Sequence, residues 1–398
     1  SGSTGKPKGV LHTTGGYLCS GGSFCGEISD SGKAVDCFRS MAKTGIVKHP
    51  LYLEHKTGVL HPENPYRLQI IYDMLEKNDF GGSLVNIEPR FATLEEVLLV
   101  HDPHYVDRVL DSAEKPQIRF DPDTVTSPKT YKAAWLAAGG VMEAIRAVFA
   151  GDVGNAFALI RPPGHHALRD RAMGFCIFNN LAIGAKYGIQ THHLQRVLIL
   201  DWDLHHGNGI QSIFYDDPRV LYFSLHRHPF FPWTGGVDEV GAGKGEGYTV
   251  NVPLELGCSD PDYGNLLRHL LFPIARRYRP EVILVAAGFD IHHNDPLQSM
   301  NVTEEGFARM TQLVMEMSSE LCEGRLVLAL EGGYNSEALQ NSVATVLWEL
   351  TGQSVIDRES MRQVEDAQYP RIAETLSLVQ KIQRPYWGEL KTDASPGL

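Results

Sequence analysis

Four stretches of the chain carry an uninterrupted run of apolar residues and close on polar ones. They are AFALIRPPGHH (156–166), RVLILDWDLHHGNG (196–209), EVILVAAGFD (281–290) and RLVLALEGGYN (325–335). Each run is rich in β-branched residues and lacks polar alternation, the signature of a parallel strand buried on both faces. Between them lie stretches with helical periodicity. TYKAAWLAAGGVMEAIRAVFAG (130–151) is one, with Gly151 placed to end it, and DYGNLLRHLLFPIARRY (262–278) is another. Strands alternating with helices predict an α/β chain of three layers, αβα, around a central and mainly parallel sheet. In such sheets ligands bind beyond the carboxyl ends of the strands. All four runs deliver titratable residues at that end: His165 and His166, Asp201 through His206, Asp290, and Tyr334.

The texture sets the expected domains. Residues 1–43 are rich in Gly, Ser, Thr and Lys and read as an extension. Residues 44–372 read as the catalytic domain, and 373–398 as a C-terminal tail. The chain has 398 residues, 43% hydrophobic and 21% charged, ordinary values for a globular protein. Lys and Arg total 36 against 48 Asp and Glu, a net charge of −12. That balance argues against direct nucleic-acid binding, which needs a basic face. No apolar run reaches the length of a membrane span, and no basic-then-apolar leader opens the sequence. The six cysteines show no ligand spacing and read as reduced thiols, so a cytoplasmic location is expected.

The polar residues after the strands suit hydrolytic chemistry. Asp203 and His205 are two apart, and Asp290 adds a third donor. Asp, His and Asp with open positions are a catalytic rather than a structural zinc pattern. Of His165 and His166, one suits a general base that later serves as acid. Asp201 and Asn208 are candidates to orient the pair; an Asp partner makes an imidazole more cationic than an Asn partner does. Tyr334 follows two glycines and is able to donate to a polarised carbonyl.

RPPGHH, GFCIFNN, DWDLHHGNG, SLHRHPFFP, AGFDIHHNDP and LEGGYN, in that order, resemble the histone deacetylase family over residues 45–352, its class II branch above all. The resemblance implies the arginase/deacetylase fold and zinc-dependent hydrolysis of acyl-lysine amides, acetyl-lysine first. It assigns one zinc to Asp203, His205 and Asp290. His166 becomes the proton-transfer residue backed by Asn208, His165 the electrostatic helper backed by Asp201, and Tyr334 the group that polarises the carbonyl. Gly174, Phe175, Phe231, Leu297 and Gly333 would line a narrow substrate tunnel, and Arg67 an acetate exit channel. Structural potassium is implied at Asp201, Asp203, His205, Ser224 and Leu225, and again at Phe214, Asp217, Val220 and Tyr248. The partners expected are acylated lysine peptides or small acylated amines, and a homo-oligomer is compatible with the sequence.

Ureohydrolases share the fold but need a second aspartate two residues beyond Asp290, where this chain has His292. With His293 it is expected to form a solvent-exposed loop pair. Polyamine-selective relatives resemble AGFDxxxxDPE, and here Leu297 stands at the glutamate position. A non-catalytic acyl-lysine binding module would need a broken site, whereas every ligand, both histidines and the tyrosine are present. Residues 1–18, SGSTGKPKGVLHTTGGYL, resemble the phosphate-binding loop of acetyl-CoA synthetases. The spacing is too short for a Walker A loop, and nothing downstream resembles the rest of that enzyme. These residues are expected neither to bind ATP nor to matter for hydrolysis.

Overall fold

The computed structural model describes residues 43–367 and 369–390; the acyl-activating-like stretch and the extension up to residue 42 lie outside them. Eight strands form one sheet: β1 (Thr44–Val47), β2 (Leu84–Ile87), β3 (Asn155–Ala158), β4 (Val197–Asp201), β5 (Val220–Arg227), β6 (Thr249–Leu254), β7 (Val282–Ala287) and β8 (Leu326–Leu330). Their order is β2-β1-β3-β8-β7-β4-β5-β6, and every pairing is parallel. The four runs singled out in the sequence are β3, β8, β7 and β4, neighbours at the centre of the sheet. Every residue of these four strands is buried, which is why polar alternation is missing from them.

Helices cover the strands. Helix Thr130–Phe149 packs on β3 and on helix Asn180–Thr191, and helices Glu304–Leu321, Ser336–Leu350 and Tyr66–Lys77 pack together as a second group. Ala133, Ala134, Ala137, Ala138, Gly139 and Gly140 let the first of these lie close to its neighbours. A Cβ on Gly139 would sit 1.8 Å from the Arg90 carbonyl oxygen. Caps fix where helices begin: the Asn179, Thr303 and Asn335 side chains accept from the backbone N–H three residues on.

The sequence reading starts a tail at residue 373. In the structure Ala373–Trp387 is a helix packed on β6, burying Leu376, Val379 and Trp387. Trp387 Nε1 donates to the Gly247 carbonyl at 2.9 Å, and its ring packs against Tyr248 and Tyr278. The packed unit therefore runs past 372. No described helix is long and apolar enough to cross a membrane.

Candidate active site

The central strands place the candidate residues together at one end of the sheet. β4 ends on Asp201, and the chain then turns, so Asp203 and His205 converge through that turn rather than through strand alternation. Asp203 Oδ1 accepts the His205 backbone N–H at 2.9 Å and lies 3.1 Å from His205 Nδ1. From the end of β7, Asp290 Oδ2 lies 3.0 Å from the same Nδ1. Donor atoms of Asp203, His205 and Asp290 all lie within 4.8 Å of one another.

This set fits a divalent cation. Two carboxylates are fully buried side by side, and Asp290 Oδ2 has no hydrogen-bond partner. Burial and the Asp203 charge raise the Asp290 carboxyl to about 7. Burial pulls His205 down, but the Asp203 and Asp290 carboxylates outweigh it and lift the imidazole to about 9. The two carboxylates draw positive charge to the spot between them, which a metal would supply in place of a proton on His205. Backbone makes room for it. A Cβ on Gly332 would lie 2.6 Å from both Asp203 Oδ2 and Asp290 Oδ2, and one on Gly288 2.1 Å from Asp203 Oδ2. His165, Cys176 and Glu331 form a second cluster of possible ligands. Burial pushes its Cys176 thiol well up, so it stays protonated, and Glu331 Oε2 is taken by the Gly164 and His165 N–H groups.

The two histidines are in different surroundings. His165 Nδ1 lies 3.1 Å from Asp201 Oδ2, and Tyr222 donates to the same oxygen. Burial lowers His165, yet the Asp203 and Asp201 charges prevail and raise it to about 10. His166 Nδ1 lies 2.8 Å from Asn208 Oδ1, an acceptor, so this nitrogen carries the proton. Burial first, then the charges of His165 and His205, hold His166 well below its usual range. One ring is cationic and the other neutral, although they are 4.0 Å apart. Tyr334 follows β8, with its N–H donated to Asp295 Oδ2. Burial, then the Asp290 and Asp203 charges, push its phenol well up, so it remains an O–H donor.

Phe231 packs edge-on against His166 at 5.2 Å, and Phe175 packs edge-on against Tyr334 at 5.9 Å. Gly174 is needed where it is: φ is +54°, and a Cβ would meet His166 Cδ2 at 2.4 Å. Gly333 has φ +116° and its carbonyl accepts from Arg67 Nε. Leu297 is on the surface, two residues beyond Asp295. Arg67 is 2% exposed, with its guanidinium 5.1 Å from the Tyr334 ring centre. It also donates to the Glu331 carbonyl and to Glu63.

For the first potassium set, Asp201 pairs with Ser224 across β4 and β5, and Leu225 follows it; Ser224 Oγ is 2.9 Å from His226 Nδ1. In the second set, Phe214, Asp217 and Val220 are joined by two successive turns through backbone hydrogen bonds, and the Tyr248 carbonyl accepts from Tyr222. The Asp217 carboxylate is held by Lys186 and Arg219. His292 departs from expectation. It is fully buried, bridged to Val302 and 3.3 Å from Glu304, and only His293 is exposed. Sequence reasoning also missed the support around the site: Glu63, Asp295, Glu331 and Arg161, whose fully buried guanidinium binds Glu63. For Arg161 the sequence did carry a signal, an arginine set between an apolar strand and two prolines in RPPG.

Residues 61–350 match the model of the histone deacetylase domain. The chain is 39% identical over 358 residues to a probable deacetylase of Archaeoglobus fulgidus, covering 86% of this chain and 98% of that protein. It is 39% identical over 341 residues to polyamine deacetylase HDAC10 of Homo sapiens, covering 83% of this chain and 50% of that longer protein. The crystal structure of the HDA15 HD domain superposes with a TM-score of 0.79 at 38% identity, over 88% of this chain and 96% of that one. Sequence, family model and fold agree, and the chain belongs to the histone deacetylase family.

Proposed function

We propose that this protein is a zinc-dependent hydrolase of acyl-lysine amides, with acetyl-lysine as the first substrate. The observation that carries the reading is the Asp203–His205–Asp290 cluster beside two adjacent histidines, one partnered by Asp201 and the other by Asn208. Asp203, His205 and Asp290 would hold the ion, which when bound supplies the Lewis acidity that activates water and the amide carbonyl. His166, neutral and held by Asn208, takes the proton of the attacking water and returns it to the amine nitrogen. His165, kept cationic by Asp201, stabilises negative charge next to it. The Tyr334 phenol donates to the substrate carbonyl oxygen as charge builds there. Phe175 and Phe231 flank the acyl-lysine stem and exclude water. Potassium at the two sets above would be structural, and a cytoplasmic location belongs to the same reading.

The name of the human relative favours a second substrate class, acetylated polyamines. Against it, the rim position at 297 carries leucine, which offers no charge to a second ammonium. Acetate release from an acetyl-lysine peptide, from longer acyl-lysine peptides and from acetylspermidine separates the two, with metal content measured on the same samples. Tyr334→Phe is expected to lose most activity on every substrate; full activity in that variant removes the tyrosine's role. Zinc-loaded protein with no turnover on the whole panel favours a binding module instead.

A further inference from the structure

Phe175 occupies an unusual backbone position. Met173 and Cys176 exchange backbone hydrogen bonds, and the two residues between them, Gly174 and Phe175, have φ of +54° and +70°. That is the geometry of a type I′ turn, in which both central residues are left-handed. Glycine accepts this conformation freely, whereas a bulky residue adopts it only under strain that the surroundings must offset. The neighbouring backbone already presses against His166, as the Cβ distance at Gly174 shows. Something outside the turn must hold Phe175 in place.

The Phe175 N–H donates to Thr124 Oγ1 at 3.0 Å. Thr124 is 1% exposed and comes from a loop 51 residues earlier in the chain. That loop is itself braced. The Phe120 N–H donates to the Thr124 carbonyl, the Thr126 N–H to the Ile118 carbonyl, and Asp121 Oδ1 accepts from Asp123 and Thr124. The residue before Thr124 acts on the Phe175 side chain through His61. The Asp123 carbonyl lies 3.0 Å from His61 Nε2, while His61 Nδ1 accepts the Glu63 N–H. The proton is therefore on Nε2 and is donated to Asp123. The His61 ring packs edge-on against Phe175 at 4.8 Å, and Phe175 packs in turn against Tyr334. One dipeptide thus fixes both the backbone and the flank of Phe175.

We propose that Thr124 is a positioning residue that sets the width of the acyl channel by holding Phe175, and so determines which acyl lengths are accepted. This rests on the reading of Phe175 as a wall of that channel. Thr124→Val keeps the shape and removes the acceptor; Thr124→Ser keeps the acceptor. Each is assayed for kcat/KM on lysine peptides carrying acetyl, butyryl and octanoyl groups, with thermal melts to show folding. Thr124→Val is expected to shift the octanoyl-to-acetyl ratio by about fivefold, the factor of one ordinary hydrogen bond, while Thr124→Ser restores the wild-type ratio. In a Phe175→Ala background, Thr124→Val should leave the ratio unchanged, because the two act as one unit. A folded, active Thr124→Val with the wild-type ratio overturns the proposal. So does an equal fall on all three substrates, which would place Thr124 against a part of the substrate common to them. Wild-type protein inactive on all three would instead remove the deacylase reading itself.

Discussion

Gly332 offers a direct test of how the metal cluster is built. Its N–H donates to Asp203 Oδ2 at 2.9 Å, and a Cβ there would lie 2.6 Å from a carboxylate oxygen of both Asp203 and Asp290. Contacts of a real Cβ stay above 3.0 Å, so Gly332→Ala forces each oxygen back by at least about 0.4 Å. Metal sites tolerate roughly 0.2 Å in ligand distance. Both carboxylates are fully buried among backbone groups, so the movement cannot be spread into solvent. Disturbing groups that orient a ligand typically costs 10–100-fold in metal affinity, and two ligands displaced together should fall near about 100-fold. The assay is zinc occupancy across a series of chelator-buffered free-zinc concentrations, followed by deacylase activity at each. Gly332→Ala should need about 100-fold more free zinc for half occupancy, with activity returning as occupancy does. A cooperative metal-free melt shows that the variant still folds. A variant that fills and turns over at the wild-type zinc concentration would refute the reasoning.

Three further outcomes follow from other parts of the molecule. Burial pushes the Glu63 carboxyl up, but Arg161 and His55 outweigh it and hold the group well below the usual carboxylate range. A lowered folded value gives stability that is present above the unfolded pKa of about 4.3 and lost as pH falls through the folded one. The gap in urea midpoint between wild type and Glu63→Gln should therefore narrow as pH drops below about 4.3, and a constant gap would contradict this. Ending the chain at residue 372 should destabilise it, and Trp387→Ala alone should cost about 3 kcal/mol by urea denaturation, because the ring is packed on Tyr248 and Tyr278. Removing residues 1–40 should leave deacylase kcat/KM unchanged, and loss of activity would give the acyl-activating-like stretch a role.

Legibility in the sequence followed burial. β3, β4, β7 and β8 are covered on both faces, so their apolar runs stand out. β2 is only partly buried and does not announce itself. The site was legible where its residues follow strands directly, as Asp203, His166 and Tyr334 do. It was not legible where support arrives from far away. Thr124 reaches Phe175 across 51 residues, and Glu63 reaches Arg161 across 98. His292 was misread because two adjacent histidines look alike in sequence. The bridge to Val302 turns one inward and leaves the other in solvent.

The strand order has a consequence for how the protein comes to exist during synthesis. β8 is the last strand to be made, yet it lies in the middle of the sheet, between β3 and β7. Until residues 326–330 leave the ribosome, β1–β3 and β4–β7 have no strand to join them. The candidate ligands Asp203 and Asp290 are by then complete, but Gly332, whose N–H orders one of them, is not. Between the completion of β7 and the emergence of β8 a nascent chain therefore holds two half-sheets with exposed inner edges, and closure and competence arrive in a single late step.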